Sequence, residues 1–170
     1  VLDMPLTLFL TGAMVCFFCA YKQHGGRRRL YEALFGVFCG LAFLTKGFLA
    51  FAVPFVTVVP FMLWEKRWRE LFTMAWVPIL TAFLVCLPWG IAIHLREPDF
   101  WHFFFWHEHV QRFMADDPQH SEAVWFFLPV LLGAMVPWTL VLPAAVSGLE
   151  QQRAGHDALV RYCLCWFLFP

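Results

Sequence analysis

Long apolar runs, each closed by a short charged connection, constrain this chain more than any other feature. Hydropathy divides it into five fairly complete runs, about Met4 to Tyr21, Tyr31 to Thr45, Phe48 to Trp64, Leu71 to Ile93 and Val124 to Val146, with part of a sixth from Tyr162. A bilayer offers peptide groups no hydrogen-bond partner, so segments this apolar have to satisfy their own backbone as helices. Spanning takes about 20 residues, so the second and third runs are short and are expected to be tilted, broken or pushed toward one face. Pro54, Pro60, Pro78, Pro88, Pro129, Pro137 and Pro143 fall inside the runs and predict kinks. The expected fold class is an all-α integral membrane protein, a multi-span helical bundle in which residues 1–170 form one module.

Composition supports that class and removes others. The chain is 61% hydrophobic, well above an ordinary soluble domain. A formal net charge of zero leaves no basic surface for nucleic acid, and no Lys/Arg run adjoins a stacking platform, so nucleic acid is not an expected partner. The six Cys, at positions 16, 19, 39, 86, 163 and 165, lie within or beside apolar runs and read as small buried hydrophobes. Cys16 and Cys19 have CxxC spacing, but Phe17 and Phe18 between them inside a span argue against a metal or redox site. The chain opens on Val1 and closes on Pro170 within apolar stretches, with no initiator Met or signal-peptide pattern, so it reads as an internal fragment of a longer protein.

The basic residues set an orientation. Lys22 with Arg27, Arg28 and Arg29, then Lys66, Arg67 and Arg69, then Arg153 and Arg161, mark three connections as cytoplasmic by the positive-inside rule. Asp3, the turn at Lys46 and Gly47, and the loop from His94 to Ala123 then fall together on the opposite surface. Candidate chemistry belongs there, because a polar, aromatic-studded loop among spans has to lie at the water interface or in a cavity.

Four groups on that surface could act. Lys46 interrupts an almost continuous apolar stretch, and it reads either as a snorkelling turn residue or as a cation that holds a lipid phosphate. Residues 100–113 set aromatic side chains among His102, His107, Glu108, His109 and Arg112, the pattern of an amphipathic helix lying in the interface. His107 and His109 are two apart and point to different helix faces, so one His with a carboxylate from elsewhere, Glu108 or Asp3, makes a metal site more easily than both His together. Arg112 can bind two phosphate oxygens with its planar fork, or pair with Asp116 four residues on. Asp3 reads equally as a helix cap before Pro5 and as an acid/base group or metal ligand facing Lys46 and Arg112.

The runs CGLAFLTKGFLAFAVP (Cys39 to Pro54), PWGIAIHLREPDFWHFFFWHEHVQRF (Pro88 to Phe113), ADDPQH and FFLPVLLGAMVPW resemble the membrane half of the bacterial lipid A aminoarabinose transferases. Those belong to the wider protein-mannosyltransferase-like group with the glycosyltransferase-C fold. The resemblance covers nearly the whole chain. It implies transfer of 4-amino-4-deoxy-L-arabinose from an undecaprenyl-phosphate-linked donor to lipid A or a similar lipid acceptor, among membrane lipids, on the periplasmic side of the bacterial inner membrane. It further implies Lys46 and Arg112 as ligands of the carrier phosphate, one of His107 and His109 as the histidine of a divalent-metal site, and Asp3 as a catalytic-site acid. The family's principal catalytic Asp is expected upstream of Val1 and a soluble domain beyond Pro170, so this stretch alone is expected to be inactive. The alternatives are a transferase of another polyprenyl-phosphate-linked sugar, such as mannose, to protein or glycan, and a transporter. A transporter would want its ionisable groups at mid-span depth, whereas here they cluster at one surface, which favours interfacial lipid chemistry.

Overall fold

The computed structural model describes residues 3–97, 99–104, 106, 129, 133, 147, 148 and 157–168. Among these no strand occurs. Four helices follow the first four apolar runs: α1 (Asp3–Lys22), α2 (Gly25–Lys46), α3 (Leu49–Trp64) and α4 (Trp68–Arg96). A short α5 (Phe100–His102) and a helical stretch at 157–168 complete the described elements. The chain divides into two compact units, Val1–Ala92 with Asp157–Pro170, and Ile93–His156.

Helix lengths follow from composition at the ends. α1, with 20 residues, and α4, with 29, are long and apolar enough to cross a membrane. At 1.5 Å per residue α1 is about 30 Å long, the thickness of a hydrocarbon core. α3 is apolar throughout but has only 16 residues, and it continues as helix through Pro54 and Pro60. α2 begins six residues before the apolar run does, because Gly25 to Leu30, with three arginines, are already helical. It stops at Gly47, whose φ of 68° is open to glycine at little cost, and whose N–H donates to Phe43 O at 2.8 Å.

The core of the first unit is aromatic. Phe17 of α1, Phe61 of α3 and Tyr162 form a triangle with ring centroids 6.2, 5.1 and 5.7 Å apart, around buried Met14, Met62 and Cys165. Such ring pairs contribute about 0.5–1.5 kcal/mol each beyond their buried area. The Tyr162 hydroxyl donates to Met14 O at 2.7 Å, which ties the stretch 157–168 to the middle of α1.

Two glycines let α2 meet α4 at close range. A Cβ at Gly36 would run into Thr81 Oγ1 and the backbone of Pro78, and one at Gly40 would sit 2.9 Å from Val85 Cβ and 3.0 Å from Ala82 O. This small-xxx-small spacing is the usual means of bringing helices together in lipid, where apolar burial supplies no net drive. Thr81 turns its hydroxyl back to Val77 O at 3.0 Å, which satisfies the donor within its own helix at the α2 contact.

In the second unit, Phe100 stacks on Phe104 at 5.6 Å and Phe103 and Trp106 are exposed. The chain turns helically from Phe100 through Phe104, with the wider π-type turn at 103 and 104. The remainder of the expected interfacial helix lies outside the described residues.

Candidate functional site

The antiparallel course of α1 and α2 brings the start of one beside the end of the other. Lys46, the last residue of α2, donates through Nζ to Oδ1 of Asp3, the first residue of α1. Both side chains remain open to solvent, at 45% and 63% exposure, so the pair is held at a surface rather than sequestered. The sequence placed both residues on one membrane face, and the ion pair shows them in contact. The two readings of Asp3 narrow accordingly, since its carboxylate faces Lys46 while its backbone carbonyl accepts from Thr7 Oγ1 at 2.8 Å.

An ammonium has three N–H donors and no acceptor. Lys46 can keep one on Asp3 and turn the others to an anion arriving from lipid or water, and its cation is pre-aimed by that bond. Arg112, His107 and His109, the other residues singled out for phosphate and metal, lie outside the described residues. Among the described residues no group of three or more His, Cys, Asp or Glu side chains is placed to hold a metal ion.

The opposite end of the first unit is built differently. Glu32, only 1% exposed, accepts from Arg28 Nε at 2.9 Å and Arg29 Nη1 at 2.8 Å. Arg28 continues to Glu70 at 3.4 Å, and Glu70 takes both Nε and Nη2 of Arg67 at 2.6 Å. Those hydrogen bonds raise the affinity of the Arg67 guanidinium for its proton above its already high ordinary value. Arg67 lies 4.5 Å over the ring of Tyr21, whose hydroxyl donates to Glu65 at 2.9 Å, and Arg161 reaches the same carboxylate at 2.7 Å. One charge network thus crosslinks the ends of α1, α2, α3, α4 and the stretch 157–168. Lys22, Arg27, Arg28, Arg29, Lys66, Arg67, Arg69 and Arg161 outnumber Glu32, Glu65, Glu70 and Asp157 there, so the end stays positive. Sequence reading took these arginines only as topology markers. The spacing of Arg28 and Arg29 to Glu32, four and three residues along one helix, was the signal that could have found the network.

Between the two ends runs a cavity of about 360 Å³ whose walls are almost wholly apolar. Among the described lining residues Glu32 is the one carboxylate, at the positive end. Of the cysteines, Cys39 lines the cavity and is buried with Cys16 and Cys165, as expected of packing residues; Cys19 and Cys86 are half-buried and Cys163 is exposed, so the expectation that all six are buried does not hold there.

Comparison with known proteins gives a consistent result. The family described as dolichyl-phosphate-mannose-protein mannosyltransferase matches residues 1–104. An undecaprenyl phosphate-alpha-4-amino-4-deoxy-L-arabinose arabinosyl transferase from Shewanella sediminis is 45% identical over 100% of this chain and 31% of its own length. One of the same name from Pseudomonas paraeruginosa is 44% identical over 99% of this chain and 31% of its own length. The crystal structure of ArnT from Cupriavidus metallidurans bound to undecaprenyl phosphate superposes with a TM-score of 0.76 at 27% identity, over 98% of this chain and 30% of that one. The chain therefore spans about a third of the length of the relatives it matches.

Proposed function

Because the chain belongs to the dolichyl-phosphate-mannose-protein mannosyltransferase family and has the membrane glycosyltransferase-C fold, we propose that it forms part of a transferase of 4-amino-4-deoxy-L-arabinose. The donor is undecaprenyl-phosphate-linked sugar, the acceptor a phosphate of lipid A, and the active side the periplasmic face of the bacterial inner membrane. The names of the relatives support donor and sugar. The structural observation that carries the reading is the Asp3–Lys46 pair, exposed at the end of the bundle opposite the positive network.

In the reaction an oxygen of the acceptor phosphate bonds to the anomeric carbon while the bond from that carbon to the carrier phosphate breaks, and the electron pair leaves with undecaprenyl phosphate. Negative charge grows on the leaving phosphate, so a cation fixed beforehand at that point stabilises the transition state more than the ground state. Lys46 supplies such a cation, and Arg112 adds a planar fork for two oxygens. Asp3 touches Lys46 and serves to position it. One of His107 and His109 would offer a nitrogen to a divalent ion, whose contribution when bound is to share the phosphate charge.

Mass spectrometry of lipid A tests this in cells that lack the full-length gene but make the donor. Wild type should restore the aminoarabinose-modified species, and Lys46→Ala or Arg112→Ala at matched membrane levels should not. Full modification with both variants would overturn the phosphate roles. Unmodified lipid A with well-expressed wild type would favour the second reading, a transferase of another polyprenyl-phosphate-linked sugar, which the mannose in the family description recommends.

A further inference from the structure

The phosphate role of Lys46 leaves half of its ion pair unused. Only Oδ1 of Asp3 is engaged among the described residues, and the side chain is 63% exposed, which leaves Oδ2 open to a ligand. An ionised carboxylate is an acceptor only, with about four lone-pair sites on its two oxygens. Asp3 is also singular in its place. Among the described residues of the first unit the other carboxylates are Glu32, Glu65, Glu70 and Asp157, and each of them is committed to an arginine of the network at the far end. The end that carries Lys46 therefore offers one anion and one cation side by side, each with hydrogen-bonding capacity left over.

We propose that Asp3 binds the ammonium at C4 of the sugar while Lys46 holds the carrier phosphate at C1, which makes Asp3 a specificity-determining residue. The inference rests on the aminoarabinose reading above. The donor head named for the relatives is zwitterionic at neutral pH, with a phosphodiester anion on one side of the ring and a protonated primary amine on the other. An adjacent cation and carboxylate are the charge mirror of such a head. Reach agrees with charge. The contacts from Nζ to a phosphate oxygen and from the sugar nitrogen to Oδ2 are charge-assisted hydrogen bonds of about 2.8 Å each. With the Lys46–Asp3 bond between them, they bridge the width of one pyranose ring. Lys46 meets the same phosphate on every polyprenyl-linked donor, so discrimination at C4 falls to Asp3. A sugar with a hydroxyl at C4 presents a neutral group there and forgoes the ion pair.

Steady-state kinetics of the full-length protein in mild detergent test this, with lipid A as acceptor and two donors: undecaprenyl-phosphate-linked aminoarabinose, and the same molecule with a hydroxyl in place of the amine. Wild type should favour the amino donor in kcat/KM. Asp3→Asn should cut that preference roughly fivefold, the value of one ion pair that water still reaches, chiefly through a higher KM for the amino donor. Its weaker hold on Lys46 slows both donors alike and cancels in the ratio. Asp3→Glu restores the charge and should keep most of the preference. A wild type indifferent to the C4 group, or a preference unchanged in Asp3→Asn, would each overturn the proposal while transfer itself persists. No transfer of either donor by well-expressed wild type would instead remove the aminoarabinose reading, and this proposal with it.

Discussion

The two ends of the first unit hold charge in opposite ways. At one, Asp3 and Lys46 make a single exposed pair; at the other, four carboxylates and four arginines, joined to α1 through Tyr21, crosslink five helical segments around a buried Glu32. An exposed pair contributes little to stability, because water screens it and two flexible side chains have to be held still. A network around a buried carboxylate is costly to break, since removing one partner leaves the others uncompensated. Rigidity is thus concentrated at the positive end, and the end with the available cation is left unencumbered. Under the proposed function, that division leaves Lys46 free to receive and release a charged lipid.

The sharpest way to break this comparison is Glu32→Ala in the full-length protein. It should lower stability by about 2 kcal/mol, read from thermal or denaturant unfolding in detergent, because the charge-assisted bonds of Arg28 and Arg29 to Glu32 are lost, although Arg28 keeps Glu70 and Arg29 can turn to water. An unchanged melting curve would mean that the network is ornamental. Lys46→Ala should do the reverse, cutting transfer about 100-fold, as loss of one transition-state charge contact does, with the melting temperature unmoved. Equal losses of activity and stability would erase the distinction between the ends. Tyr21→Phe removes one hydroxyl from the network and should cost about 1 kcal/mol of stability with turnover preserved. Asp3→Asn keeps shape and removes charge, so transfer should fall only several-fold, through a weaker hold on Lys46. If Asp3→Asn proved as damaging as Lys46→Ala, Asp3 would act on the reacting groups directly.

Much of this arrangement could be read before any coordinates. The apolar runs located α1 to α4 because an uninterrupted hydrophobic stretch in this composition has few other uses, and α3 differs from its expected span by one residue. Alternation of charge across connections placed Asp3 and Lys46 on a common face. Ends were harder. Arg27 to Arg29 depress hydropathy, so α2 appeared to start at Tyr31, although arginine is a good helix former and needs only water around it. The Glu32 network was missed because a carboxylate inside an apolar window reads as a blemish until its neighbours three and four residues back are counted. Gly36 and Gly40 were missed for a related reason: their effect comes from the absence of a side chain, and hydropathy does not register it. Of the site, Asp3 and Lys46 could be placed, while the geometry of Arg112, His107 and His109 belongs to residues that the structure does not describe.

The hydrogen bond from Tyr162 to Met14 O joins residues separated by 148 positions. At roughly 5 to 20 residues per second, ribosomal synthesis delivers Tyr162 about 7 to 30 s after Met14. For about the last 5 to 20 s of that interval Phe17 and Phe61 lack the third ring of their triangle, and Glu65 lacks Arg161. The order of manufacture therefore makes the segment 157–168 a late clasp, closed on α1 and α3 only after those helices have been made.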